Sequence, residues 1–296
     1  MSWRSVIVAN HSKLDLQFGF LVVRNGEGLK KVILDEIDLL IIETPAVSIT
    51  VALLAELSVR KVKVIFCNRE RNPFAELMPY HGCHDSARKL REQLNWSDEA
   101  KGKVWGAIVQ CKIARQAALL NECGKTVSGE QLQEWADAVV PGDDFDNREA
   151  IAARAYFTAL FSCQFTRKLK IPVNAALDYG YMIMLAVFNR TVTAHGYLTQ
   201  LGIFHHNTFN PYNFSCDLIE PFRPLVDRKV IELASDDEMV FGTNEKHALV
   251  ELLHDDVTIN GMKRTVIAAI NDYVTSVADA LTANDPTLIR FPEYGR

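Results

Sequence analysis

Across residues 1–70, short apolar runs alternate with turn formers. The runs at 5–9, 14–18, 20–24 and 30–34 are rich in branched and aromatic residues, the length and composition of strands. Asn25-Gly26-Glu27-Gly28 parts the last two, and its glycines supply the positive φ angles of a tight reversal. Residues 38–43 hold Leu39, Leu40, Ile41 and Ile42 in an unbroken row, and Val64-Ile65-Phe66-Cys67 repeats it; this is the pattern of a strand covered on both faces. Between them, 48–59 opens on Ser and Thr and carries Val51, Leu54, Ala55 and Leu57, which predicts a helix crossing between two parallel strands.

Residues 68–85 carry prolines and turn formers, and beyond them the apolar period lengthens from that of a strand to that of a helix. Helices are predicted at 85–94, 98–120, 128–140, 146–163, 174–195, 245–253 and 262–281. The second presents Val104, Trp105, Ile108, Val109, Ile113 and Ala117 on one face. The stretch 174–195 is apolar nearly all round, the mark of a buried central helix. After Asn284 come prolines and no periodicity. The expected fold class is α+β: a small N-terminal β-rich domain over 1–70, a linker over 71–85, and a larger all-α domain over 86–296.

Composition narrows the function only a little. The chain has 296 residues, 48% hydrophobic and 23% charged, an ordinary globular balance. No apolar run reaches the roughly 18 uncharged residues of a membrane helix, since 175–187 is interrupted by Asp178. The N-terminus enters a strand without the apolar core of a signal peptide, so no membrane contact and a cytoplasmic location are expected. The six cysteines form no CxxC pair and read as buried hydrophobes. His81, Cys83 and His84 make a short cluster with no second ligand pair at zinc spacing. A net charge of −5 argues against nucleic acid, which is usually met by a basic surface. Basic residues do gather at Arg60, Lys61, Lys63, Arg69 and Arg71, and again at Arg88, Lys89 and Arg91; such runs are either solvated faces or local phosphate contacts.

Candidate chemistry is densest at 202–224. His205, Asp217 and Glu220 offer an imidazole and two carboxylates, the nitrogen and oxygen set that suits Mg²⁺ or Mn²⁺ rather than a thiolate-rich zinc site. Asp217 and Glu220 share a face if they lie on one helix. Pro221 disfavours the helical conformation at Glu220, so either a helix ends there or Pro221 begins the next. His205 and His206 would diverge on a helix. Glu149 stands three residues after Asp146, where a capping box is a complete structural explanation beside any catalytic one.

Three ordered motifs carry a resemblance: Asp146-Asn-Arg-Glu-Ala-Ile-Ala-Ala-Arg-Ala-Tyr-Phe157, Asn174-Ala-Ala-Leu-Asp-Tyr-Gly-Tyr181 and the stretch from Gly202 to Pro224. In this order they resemble the CRISPR-associated protein 1 family, the integrase of spacer acquisition. Trp3-Arg-Ser-Val-Ile-Val8, His11-Ser-Lys-Leu14 and Asp85-Ser-Ala-Arg88 are most similar to its type II branch. The resemblance implies that the all-α domain is catalytic, with Glu149, His205 and Glu220 as metal ligands. Glu220 stands where many relatives have Asp. Asp217 matches an acidic position near the site, as a support behind a ligand or a ligand itself, and Arg223 a DNA contact or structural partner. It further implies an Mg²⁺- or Mn²⁺-dependent endonuclease and integrase of antiviral defence, in which a 3′-hydroxyl of a short double-stranded DNA fragment attacks a phosphodiester at a CRISPR repeat. Family members are homodimers, bridged by a small CRISPR-associated partner protein into a heterohexameric integration complex. The apolar strands of 1–70 exceed what so small a domain buries alone, which makes that domain the expected dimer interface. The alternatives are a general metal-dependent DNA nuclease and a non-catalytic DNA-binding assembly subunit.

Overall fold

Strands and their turns build the N-terminal unit, Met1–His84. The computed structural model describes residues 4–79, 84–139, 145–234 and 239–294, and side chains from 149 onward in the third span; of the cluster His81, Cys83 and His84, the first two lie outside the described residues. In chain order the unit holds β1 (Arg4–Val8), β2 (Ser12–Gln17), β3 (Phe20–Asn25), β4 (Gly28–Ile33), β5 (Ile37–Ile42), β6 (Val47–Ile49), α1 (Val51–Val59), β7 (Lys63–Cys67) and β8 (Pro73–Glu76). One sheet has the order β1-β5-β7-β8, with β1, β5 and β7 parallel and β8 antiparallel. β5 is buried along its whole length, as its unbroken Leu-Leu-Ile-Ile row requires of a strand with neighbours on both sides. The Thr50 hydroxyl caps α1 by accepting from the Leu53 N–H, and α1 leads the chain back to the parallel strand β7.

The second sheet, β4-β3-β2-β6, is a meander closed by β6 running parallel to β2. Asn25 to Gly28 makes the expected turn between β3 and β4. Leu14, Leu21, Leu40, Leu53, Leu57 and Val64 meet in the core. β8 falls inside the stretch 71–85 expected as a linker, where Glu76 pairs with the ammonium of Lys63 on β7.

The second unit, Asp85–Arg296, is helical. It contains α2 (Ser86–Asn95), α3 (Asp98–Glu122), α4 (Thr126–Asp137), α5 (Phe145–Leu160), α6 (Pro172–Ala194), α7 (Asn213–Leu218), α8 (Arg223–Leu233) and α9 (Thr243–Glu251), then β9 (Asp256–Ile259), β10 (Met262–Thr265), α10 (Val266–Ala283) and β11 (Pro292–Glu293). α6 starts at Pro172, whose missing N–H costs nothing at a helix N-terminus, and packs against α7, α8, α9 and α10, the central place its apolar surface demands. Among the described residues no helix is long and apolar enough to cross a membrane.

Two local differences from the expected helices have clear causes. Residues 262–265 form a strand, not the first turn of a helix, because Asn260 and Gly261 take φ of 52° and 71° and make a hairpin turn that only such residues adopt readily. The resulting sheet, β10-β9-β11, also gives order to the tail, so the helical unit carries a small antiparallel sheet. α8 is not among the predicted helices, although a new helix at Pro221 is one of the two readings offered there; Pro221 and Pro224 both sit at helix N-terminal positions, where proline is tolerated.

Candidate active site

α3 forms the floor of the site. The Ser97 hydroxyl caps it by accepting from the Ala100 N–H, and Asp98 and Glu99 occupy its first turn, where negative charge complements the helix dipole. Its buried face holds Trp105, Ile108, Val109 and Ile113 and, among them, Lys112. The Lys112 ammonium stands 2.5 Å from Glu149 Oε1 on α5 and 2.5 Å from Glu220 Oε2. Glu220 begins a 3₁₀ turn, Glu220–Phe222, between α7 and α8. Its other oxygen, Oε1, accepts from Arg223 Nε at 2.9 Å, and the Arg223 guanidinium lies over the Tyr181 ring, 4.7 Å from its centre. Both oxygens of Glu220 therefore face a cation. Burial pushes the Glu220 carboxyl up, but Arg223 and Lys112 outweigh it and hold the group at about 2. For Lys112, burial pushes the ammonium down and the two carboxylates more than offset this, leaving it raised. Glu220 and Lys112 are therefore both ionised at neutral pH.

Asp217 turns away from Glu220. Fully buried near the end of α7, it accepts at Oδ2 from the N–H groups of Ile203 at 2.7 Å and Phe204 at 3.1 Å. Oδ1 accepts from the His205 N–H at 3.1 Å and lies 2.6 Å from its ring Nδ1. Three successive backbone donors on one carboxylate fold 203–205 tightly around it. At Gly202 a Cβ would come within 2.8 Å of Asp217 Oδ2, closer than side-chain atoms approach, so glycine is required there. Phe204 stacks on Trp105 of α3 with centroids 4.4 Å apart, and the His205 ring stands edge-on to Trp105 at 5.7 Å. The Asp217 hydrogen bond outweighs burial and raises the His205 pKa. In the neutral ring Nδ1–H donates to Asp217, and Nε2 carries the lone pair.

Glu149 and Glu220 are thus brought together on Lys112, and His205 is held by Asp217. Among the described residues no three His, Cys, Asp or Glu side chains stand close enough to hold one ion. The donor chemistry nevertheless fits a divalent cation: two carboxylates already bracket a positive charge, and an imidazole nitrogen with a fixed lone pair neighbours them. Asp217 and Glu220 do not share a helical face, because α7 ends between them at Leu218. Glu149 does not stand in a capping box led by Asp146, because α5 begins at Phe145 and Asp146 is already inside it. His206 is exposed.

Sequence reasoning missed Lys112, although a lysine four residues after Ile108 and one before Ile113 was the available signal. It also missed Asp227 on α8, which is fully buried and accepts from the hydroxyls of Tyr156, at 2.9 Å, and Tyr181. Burial raises its carboxyl to about 6. The basic clusters carry less free charge than they suggest: Lys63 is buried on Glu76, Arg60 pairs with Asp35 and Glu56, and Arg88 with Asp85 and Glu92.

The strand-rich unit is thus followed by a helical unit in which the partly exposed Glu149 and the buried Glu220 converge on one ammonium, and a carboxylate holds a histidine in place. The family model for CRISPR associated protein Cas1 matches residues 6–258. The CRISPR-associated endonuclease Cas1 of Neisseria meningitidis serogroup C (strain 8013) is 35% identical over 295 residues, 99% of this chain and 97% of that protein. This chain belongs to the Cas1 family. CRISPR-associated endonuclease Cas1 2 of Pyrobaculum aerophilum is 26% identical over 293 residues, covering 93% of this chain and 98% of that one. Among solved structures, a casposase bound to integration product has a TM-score of 0.78 at 18% identity, covering 97% of this chain and 93% of that one. A Cas1 protein from Thermotoga maritima has a TM-score of 0.74 at 15% identity, covering 95% and 97%. At such identities the structural likeness is one of fold.

Proposed function

We propose that this protein is a DNA integrase and endonuclease of CRISPR adaptation, and that it inserts short duplex fragments into the repeat array by metal-assisted transesterification. The observation that carries the reading is the meeting of Glu149 and Glu220 on one cation in a chain that is 35% identical to a Cas1 endonuclease. Glu149, Glu220 and His205 would hold Mg²⁺ or Mn²⁺, which would supply Lewis-acid chemistry for an attacking 3′-hydroxyl and for charge on the reacting phosphate. Asp217 orients the imidazole and keeps its proton on Nδ1. Arg223, fixed over Tyr181, holds Glu220 from the other side. The protein works in the cytoplasm as a homodimer joined through its N-terminal unit. A dimer of a small CRISPR-associated protein bridges two such dimers, and the assembly holds double-stranded DNA despite the chain's net charge of −5.

The test is strand transfer between a labelled duplex fragment and a repeat-containing plasmid, in Mg²⁺ and in Mn²⁺, with a thermal melt of each variant. Wild type joins the fragment to the repeat. Glu149→Ala, His205→Ala and Glu220→Ala each lose about 1000-fold or more, the several kcal/mol a bound cation contributes, while His206→Ala is mild. A Glu149→Ala protein that melts early yet integrates normally overturns the assignment, and cleavage without joining reduces the protein to a plain nuclease.

A further inference from the structure

Lys112 has no role in the reaction just described. Its ammonium lies 2.5 Å from an oxygen of each proposed ligand carboxylate, at the place where a cation shared by Glu149 and Glu220 belongs. The lysine and its two partners come from α3, α5 and the turn before α8, so no local pairing rule brings them together. With Arg223 on the remaining Glu220 oxygen, two cations already balance two carboxylates. A divalent ion added to that arrangement finds each Glu220 oxygen already facing a cation, and a site of net charge zero where two uncompensated carboxylates would attract it. One of the two must yield. Arg223 is pinned by its place over the Tyr181 ring, whereas Lys112 reaches the carboxylates on four flexible methylenes. Glu149, with 21% of its side chain exposed, leaves that side open to solvent.

We propose that Lys112 is a built-in surrogate for the divalent ion: it holds Glu149 and Glu220 together in the metal-free protein and swings out, still protonated, when the ion binds. The inference rests on the metal-site reading above. Lys112 is a positioning residue: it pre-aligns the carboxylates and sets how tightly the ion binds by competing for the same oxygens.

The test is direct Mn²⁺ titration of the full-length protein without DNA, by calorimetry and by electron paramagnetic resonance of the free ion, for wild type, Lys112→Met and Lys112→Gln. Both variants are expected to bind Mn²⁺ about tenfold more tightly than wild type, and to melt earlier without metal as two carboxylates face each other unscreened. Saturating Mn²⁺ should close that gap in melting temperature, because an ion that binds only the folded state stabilises it in proportion to its affinity. Equal or weaker affinity with a melting deficit that persists in Mn²⁺ makes Lys112 merely structural and overturns the inference. Should neither variant fold, wild type decides: in lysine-labelled protein, the slowly exchanging ammonium resonance of Lys112 must disappear on saturation with Mg²⁺, and its persistence in the saturated protein overturns the proposal. If wild type and both variants bind no Mn²⁺ at all, the metal-site reading itself fails; if wild type binds and the variants bind no tighter, only the surrogate falls.

Discussion

Each unit of the molecule buries a lysine against carboxylate, and the two arrangements differ in what surrounds them. Lys63 and Glu76 come from neighbouring antiparallel strands, with side chains 2% and 8% exposed. The pair tacks β8 onto the sheet edge and is sealed from water. Lys112 faces two carboxylates from distant parts of the chain, one of them, Glu149, partly open to solvent, with an arginine and a histidine–aspartate pair beside it. A sealed pair is a structural device, and its value lies in both partners being present. A cluster with one carboxylate partly open to solvent and one flexible lysine among its cations is, on the inference above, a site in which a metal ion can replace that lysine.

The largest effect that tests this contrast is on stability. Lys63→Ala leaves Glu76 buried without its ammonium and is expected to cost about 3 kcal/mol or more, read by urea unfolding of the full chain, with strand transfer by the remaining folded protein intact. The double change Lys63→Met with Glu76→Leu should restore most of the loss, since an apolar pair of similar volume substitutes well for a buried ion pair. A double variant as unstable as the single one would show that the pair does more than tack an edge.

Next in size is Asp217→Asn. The asparagine keeps the shape but offers one acceptor oxygen where the carboxylate serves three N–H groups and an imidazole. Mn²⁺ affinity should fall by about 10- to 100-fold, as it does when the group behind a metal-binding histidine is lost. The His205 titration should move down toward the ordinary histidine range, because its principal cause for being raised is gone. Histidine NMR across pH 5 to 9 checks the second point, and an unmoved His205 would mean that Asp217 serves only the backbone.

How far the sequence anticipates these features depends on whether the cause is local. β5 was legible because four consecutive branched or leucyl residues admit little besides a doubly covered strand, and α6 because its apolar surface has nowhere to go but the middle. The hairpin at Asn260-Gly261 was also local, and was missed because the apolar period of the following helix extends by chance into β10. The site is another matter. Glu149, His205 and Glu220 come from three separate elements, and spacing alone favoured a capping box for the first, gave the second no partner and put a helix-disturbing proline beside the third; only their likeness to a known family joined them. Lys112 belongs to none of those motifs, and its partners are 37 and 108 residues away in the chain, so its position on the apolar face of α3 has meaning only once α5 and the 220–222 turn are in place.

The smallest effect concerns Asp227, a buried carboxylate without a lysine. Burial pushes it up to about 6 from an ordinary 3.8, and the hydroxyls of Tyr181 and Tyr156 offset only part of that. Between these values the folded protein keeps a proton that the unfolded chain has released. Stability contributed through this group is therefore full below about pH 4 and is lost as pH rises through 6. Glu220 has the opposite sign: held at about 2 against an ordinary 4.5, it contributes stability above the ordinary value that is lost as pH falls toward 2. The two windows barely overlap, so a comparison of wild type with Asp227→Asn from pH 4.5 to 7 isolates the aspartate. The asparagine variant should lose ground relative to wild type as the pH is lowered, with a difference slope of at most about 1.4 kcal/mol per pH unit, the limit for one proton. Urea unfolding at half-unit steps reads it. Parallel curves would mean that the hydroxyls of Tyr156 and Tyr181 hold Asp227 ionised throughout that range.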